Sequence, residues 1–481
     1  MTWKEISPGE YRAEFGGAEK IFYRVGSLFT HLKREHYRVH CVCQLEFGSE
    51  FQGRDPVAAL KTAWKTLRLE LPALGVRADG PDHKVYKFLD AQGQQEWLDQ
   101  SFFVEPEEKT SDEVIAREPR DLPTLHFLLS SFEIVLLCSH WRIDAIGTNW
   151  VLDRLFTLMA TPPVTPPSGP TLDAVSPALE EAYGAAHDLT EEDEEYARAF
   201  IQSFRENSFP NYQMRYQGDA TTPPGDPRYV TLVLDDASTA TLVGACRAHE
   251  VSVTAAVHSA LAQAVFVVAD ADDRGPSHTQ DDFTCATSIN LRPKLPAPYN
   301  GRAHAAQTYV MGVGCRVLRD RSFLASAKAL TQQFKVGFNY DRVLRSLRAI
   351  YKLNSDATPV KQKHISEVKT NSLTQLLPVL PRPLPSGITI SSLGVVNNFL
   401  TGEYGGREGA PAVKVREYHF GIDMMTRQML MYVGTFCGKL QLSISYNRGY
   451  YDPEVPLDVL QRVQDALERG LGVKLQAHEA R

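Results

Sequence analysis

In the stretch IVLLCSHWRIDAIG, residues 134–147, an apolar run from Ile134 to Cys138 gives way to three ionisable side chains, His140, Arg142 and Asp144, within five positions. An imidazole is a useful general base because its ordinary pKa, about 6.5, lies near the pH at which enzymes work. It can take a proton from a polarised hydroxyl, amine or thiol and later return one. A carboxylate at Asp144 need not touch a substrate; it can pin the turn through buried hydrogen bonds or an ion pair and so fix where the ring points. Taken alone, the HxxxD spacing also suits a core histidine followed by an aspartate that caps the next helix. Nothing in the spacing says which way Trp141 and Arg142 point.

The apolar run predicts a strand over about 132–138. Val151, Leu152, Leu155, Phe156 and Met159 predict a helix behind it, so the cluster falls at a strand-to-helix junction. Upstream, VHCVCQLEF (39–47) reads as a strand, and Val57, Leu60, Trp64, Leu67 and Leu71 carry helical spacing from Asp55 onward. The proline-rich TPPVTPPSGPTLDAVSP (161–177) predicts an extended spacer, which divides the chain into a first lobe at 1–160 and a second at 178–481. Acidic residues 191–195 after Thr190 suit the first turn of a helix better than a metal site, because they complement the helix dipole. Strands are then expected at 228–236, 283–290 and near 306–318. Helices are expected at 237–250, 252–268 and across about 320–352. After the proline cluster LPVLPRPLPSG (377–387), four β-like segments (ITISSLGVV, AVKVREYHF, QMLMYVGTF and KLQLSISYN) precede a closing helix from Val455 to about Gly470.

Bulk properties narrow the function classes. A chain of 481 residues with 43% hydrophobic content calls for two domains or one large two-part unit. A net charge of −7, with no dense Lys/Arg tract, argues against a nucleic-acid or anionic-membrane surface. The N-terminus lacks the basic-then-apolar pattern of a secretory signal and no run reaches about 18 apolar residues, so a cytoplasmic protein without a membrane span is expected. Seven cysteines without a CxxC read as reduced core thiols, with no disulfide framework and no metal site.

Three separated segments carry a family resemblance. SHWRIDAIG resembles the active-site turn of the HxxxD acyltransferases, the superfamily of chloramphenicol acetyltransferase, the dihydrolipoyl acyltransferases, nonribosomal peptide condensation domains and the plant BAHD enzymes. INLRPKLPAPYNG (289–301) is similar to the arginine-and-proline segment of BAHD and condensation proteins, and ITISSLG (388–394) resembles a stretch near the active site of dihydrolipoyl acyltransferases. The resemblance implies an α/β protein of two chloramphenicol-acetyltransferase-like lobes, mixed sheets flanked by helices, with an active-site channel between the lobes. It implies His140 as general base, Asp144 as a structural residue paired with Arg292 from the second lobe, and a hydroxyl of Ser391 or Ser392 facing the oxyanion. Physical chemistry supports the pairing independently, since a buried carboxylate is costly unless paired. The rival is an Arg292 that merely snorkels at a surface. Alternation along a strand lets at most one of the two serines face the site.

The pattern also departs from the family. Ala145 stands where a glycine usually follows the aspartate, with Gly147 two places on, and HFGID (419–423) keeps only Phe420 and Gly421 of the plant DFGWG signature. The opening WKEISPGEYR and the aromatic after His140 look most like the fungal branch typified by trichothecene O-acetyltransferases. The implied activity is transfer of a short acyl group, acetyl foremost, from acyl-CoA to a hydroxyl of a hydrophobic secondary metabolite. The transfer is direct, by a monomer with no bound cofactor and no metal, acyl-CoA serving as co-substrate and a small-molecule alcohol as acceptor. A condensation-type enzyme using a carrier-protein thioester and an amine or alcohol acceptor is the alternative. A lobe pair that has lost catalysis and serves as a binding module is a further one.

Overall fold

The computed structural model describes residues 3–163, 169–208, 212, 214–219, 221–271, 282–356, 386–406 and 410–480. Residues 164–168 of the proline spacer and 377–385 of the later proline cluster lie outside the described residues. The chain divides into two compact units, and neither is continuous in sequence. The first takes Met1–Ala185, Asn290–Val310 and Val396–Ile422; the second takes Ala186–Ile289, Met311–Val395 and Asp423–Arg481. This differs from the boundary expected at 161–177. The reason is strand pairing over long sequence distance, which no local composition signals: Val413–Ile422 pairs antiparallel with Val39–Phe47, from Val413↔Phe47 to Ile422↔Val39.

The first unit holds a six-stranded sheet ordered Glu403–Tyr404, Val413–Ile422, Val39–Phe47, Glu133–Cys138, Thr124–Leu128 and Phe102–Glu105. All neighbours are antiparallel except the last two strands, which run parallel. A four-stranded antiparallel sheet, Lys4–Ser7, Glu10–Glu14, His83–Lys87 and Arg77–Asp79, completes it. The helices Pro56–Glu70 and Ala145–Ala160 pack on each other through fully buried Leu60, Trp64, Leu67, Val151, Leu155 and Phe156. Asp55 caps the first of these, accepting a hydrogen bond from Val57 N, with Pro56 in the first-turn position that needs no N–H donor.

The second unit is built on a seven-stranded sheet ordered Val310–Val317, Phe283–Asn290, Ile388–Val395, Met429–Phe436, Lys439–Asn447, Pro227–Leu234 and Ala477–Ala480. Ile388–Val395 runs parallel to both of its neighbours, so this sheet is mixed. Helices Asp236–Ala248, Val253–Asp270, Phe323–Val336 and Glu454–Leu471 share one core with Ile388, Ile390, Met429, Met431, Leu442, Ile444, Val230 and Leu232. Val253–Asp270 is long and apolar enough to cross a membrane, but 67% of it is buried inside this unit. The acidic run opens helix Glu191–Ser208, and Thr190 forms reciprocal hydrogen bonds with Asp193 of 2.7 and 3.1 Å. The helical region near 320–352 resolves into Phe323–Val336, Tyr340–Arg345 and Leu347–Asp356. Six of the seven cysteines are buried thiols; Cys437 is exposed, which corrects the expectation that all are core residues.

Candidate active site

Strand Glu133–Cys138 is buried from Ile134 onward, and the chain leaves it through Ser139 into the turn that starts helix Ala145–Ala160. Asp144 is the N-cap of that helix. Its Oδ1 accepts a hydrogen bond from Gly147 N at 2.8 Å, while its Oδ2 takes Arg292 Nη1 at 2.5 Å and the Tyr309 N–H at 2.8 Å. The cap and the ion pair, which the sequence posed as alternatives, are carried by the two oxygens of one carboxylate. Both side chains of the pair are 1% exposed, so Arg292 is a core residue and not a surface one.

Arg292 is held from several sides. Nη2 donates to Gln307 O at 2.8 Å and to Ala305 O at 3.2 Å, and the guanidinium lies 5.4 Å from the Trp150 ring and 5.1 Å from the Tyr309 ring. Asp144 and Arg292 both belong to the first unit, so the pair does not join two lobes as expected; the segment Asn290–Val310 returns to the first unit and brings Arg292 with it. Gly147 explains where the turn needs a glycine. A Cβ there would stand 2.2 Å from Ala305 O and 3.0 Å from Arg292 Nη2, whereas Ala145, the departure from the family pattern, sits in the first turn of the helix, half-buried.

His140 is half-buried. Its ring lies flat on Phe22, with centroids 4.0 Å apart and planes 5° from parallel. Nδ1 is sealed and has no hydrogen-bond partner in another described residue, and Nε2 is not among the sealed nitrogens. Burial holds the imidazole below the ordinary histidine pKa, opposed by the residue's own carbonyl and by the Asp144 charge. Thr308 Oγ1 donates to that same His140 carbonyl. Trp141 is buried against Phe15 and Tyr23, and Arg142 is spent on the scaffold: it donates to Val76 O and, at 2.8 Å, to Asp121 O, and its guanidinium stacks 4.1 Å from the Trp141 ring. Of the three ionisable groups in this turn, one is presented and two are anchors.

Ser391 and Ser392 lie in the second unit, on strand Ile388–Val395. Ser392 Oγ is 2.8 Å from Thr254 Oγ1 of helix Val253–Asp270, on the side of Ile388 and Ile390; Ser391 points to the other side of the sheet, in register with Tyr432. Among the described residues no group of three His, Cys, Asp or Glu is placed to hold a metal ion. Sequence reasoning missed Phe22, Thr308 and the close approach at Gly147. Nothing local marks them, since each acts on a residue more than a hundred positions away.

Compared with models of known protein families, the chain matches none. Among solved structures, the fold is similar to the TRI3 trichothecene 15-O-acetyltransferase of Fusarium sporotrichioides, with 15% identity, a TM-score of 0.72 and 97% of each chain covered. It is also similar to the first condensation domain of the CDA synthetase, with 16% identity, a TM-score of 0.62 and coverage of 97% of this chain and 99% of that one. These likenesses define the class as α/β proteins of the chloramphenicol-acetyltransferase and condensation-domain fold. In sequence, the chain is 38% identical to O-acetyltransferase pigM of Monascus ruber over 99% of its own length and 88% of that protein's. It is 33% identical to azaphilone biosynthesis cluster protein M of Aspergillus terreus, over 97% and 98% respectively. The chain belongs to this family of fungal O-acetyltransferases.

Proposed function

We propose that this protein moves an acetyl group from acetyl-CoA to a hydroxyl of an azaphilone-type secondary metabolite, in one direct transfer with His140 as general base. The observation that carries the reading is the state of His140: a half-buried imidazole kept by desolvation below its ordinary pKa, with Nδ1 sealed, on a turn anchored by the Asp144–Arg292 pair. Such a ring is neutral at pH 7 and has a lone pair to offer at Nε2. Nε2 takes the proton of the acceptor hydroxyl as its oxygen attacks the thioester carbonyl. The tetrahedral intermediate then collapses, the C–S bond breaks, and the imidazolium returns the proton to the departing thiolate. No bond to the protein forms, so both substrates bind before either product leaves. Asp144 and Arg292 hold the turn.

The family relationship supports acetyl transfer to oxygen, and the azaphilone acceptor rests on the name of one relative. The test offers purified protein acetyl-CoA, longer acyl-CoAs and carrier-bound acyl thioesters with hydroxyl-bearing azaphilones and matched amines, following thiol release and product mass. An acetyl ester from acetyl-CoA, with intersecting double-reciprocal rate plots, is the expected result. Activity confined to carrier-bound donors or to amines contradicts the reading in favour of condensation chemistry, and parallel plots contradict direct transfer.

A further inference from the structure

Resting on the reading of His140 as general base, we propose that Phe22 and Thr308 are positioning residues for it: Phe22 fixes the plane of the imidazole and Thr308 fixes the peptide that carries it. Anchoring by Asp144 ends at the turn's backbone. Between Asp144 and His140 lie three residues, and no side-chain hydrogen bond to His140 from another described residue restrains the imidazole. Two contacts fill that gap, and both come from far along the chain.

The first is the stack. A ring lying 4.0 Å from Phe22 and 5° from parallel has one face covered and its plane restrained. Phe22 sits on helix Gly17–Gly26, which is tied down independently: Glu19, one turn earlier, pairs with buried Lys84 and accepts from Gln307 Nε2 at 2.9 Å. Phe22 itself is only half-buried, so the unit does not depend on it for its core. The second is the hydroxyl of Thr308, which donates to the main-chain oxygen of His140 across 168 positions of sequence. That oxygen belongs to the peptide that carries the ring into the turn. With it held, the peptide that carries the imidazole is fixed in the turn. Gln307, the residue before Thr308, receives Arg292 Nη2 on its carbonyl, and Tyr309, the residue after it, donates its N–H to Asp144, so the contacts that hold the Asp144–Arg292 pair flank the clamp on His140 in one segment.

The experiment measures kcat, both KM values and the pH profile of kcat/KM for wild type, Phe22→Leu, Phe22→Ala, Thr308→Val, Thr308→Ser and His140→Ala, each checked for folding by circular dichroism. Thr308→Val keeps the shape and removes the donor; kcat falls about 10- to 100-fold with KM values within about twofold, and Thr308→Ser recovers most of the loss. Phe22→Leu keeps apolar cover without the flat face and lowers kcat about tenfold. Phe22→Ala admits water to the ring, so the acid limb of the profile moves up toward the ordinary histidine value of about 6.5. A merely structural role lowers activity equally at all pH values and gives no recovery with serine, and that outcome overturns the proposal. Wild-type kcat and an unmoved acid limb in the Phe22 and Thr308 variants, beside an inactive His140→Ala, overturn the positioning roles alone. A fully active His140→Ala overturns the general-base reading and this proposal together.

Discussion

At the scale of single residues, Asp144 meets three donors with one carboxylate: the Gly147 amide, the Tyr309 amide and the Arg292 guanidinium. Removing one partner of a buried ion pair leaves the other charge unpaired, at a typical cost of about 3–5 kcal/mol. Asp144→Asn and Arg292→Gln are therefore expected to lower stability as well as activity, and in urea unfolding their losses should fall well short of additive because each removes the same interaction. Additive losses would mean that the two residues do not communicate. His140 carries a second prediction. Burial holds its pKa down, so the acid limb of kcat/KM belongs below about 6.5, with activity retained into mildly acidic pH as the ring stays neutral. A limb at or above that value would contradict the half-buried, neutral base. His140 and Asp144 were legible as types at a spacing, and Arg292 as the partner through family resemblance. The clamps were not, because a threonine and a phenylalanine carry no chemical signature until the fold brings them to the ring.

At the scale of elements, the helix Ala145–Ala160 converts a strand end into a fixed presentation of His140, and Gly147 sets how closely its first turn approaches the Ala305 carbonyl. A methyl group there meets backbone at 2.2 Å, so Gly147→Ala must push the helix away from the segment that holds Arg292. The expected destabilisation is about 1–3 kcal/mol, accompanied by a fall in kcat, whereas Ala145→Gly, at the family's usual glycine position, leaves kcat within about threefold. Thermal unfolding and steady-state rates of the two variants check this; a Gly147→Ala protein of unchanged stability would show that the close approach is not required. Most strands and helices were readable from periodicity: Val39–Phe47, Phe283–Asn290 and Lys439–Asn447 fall where alternation and β-branched content put them. The short strands Lys4–Ser7, Glu10–Glu14, Arg77–Asp79 and His83–Lys87 were not. Pieces of three to five residues are too brief for a period to show, and their pairing is non-local.

At the scale of the whole molecule, the two units interleave three stretches of chain each, which local composition cannot reveal because the closing contacts lie hundreds of residues apart. Each unit also buries histidines in neutral form. Burial pushes His258 of the second unit to about 4, and burial with the neighbouring His40 pushes His419 of the first unit well below its ordinary value. In both the folded-state pKa is depressed, so as pH falls below about 6.5 the unfolded chain takes up protons that the folded one refuses, and stability declines toward pH 4. For His258 alone the loss between pH 7.5 and 5 is about 2 kcal/mol, and His258→Leu should flatten the pH dependence of the unfolding free energy in urea by that amount. An identical pH dependence in variant and wild type would remove His258 from the account. The central claim, that this fold exists to present one neutral imidazole to an acceptor hydroxyl, is tested most directly by the turnover of His140→Ala with acetyl-CoA and a hydroxyl-bearing azaphilone at pH 7.5. The account predicts a folded protein whose kcat is lower by roughly two to four orders of magnitude; a folded variant that releases thiol and forms ester at near the wild-type rate would contradict it.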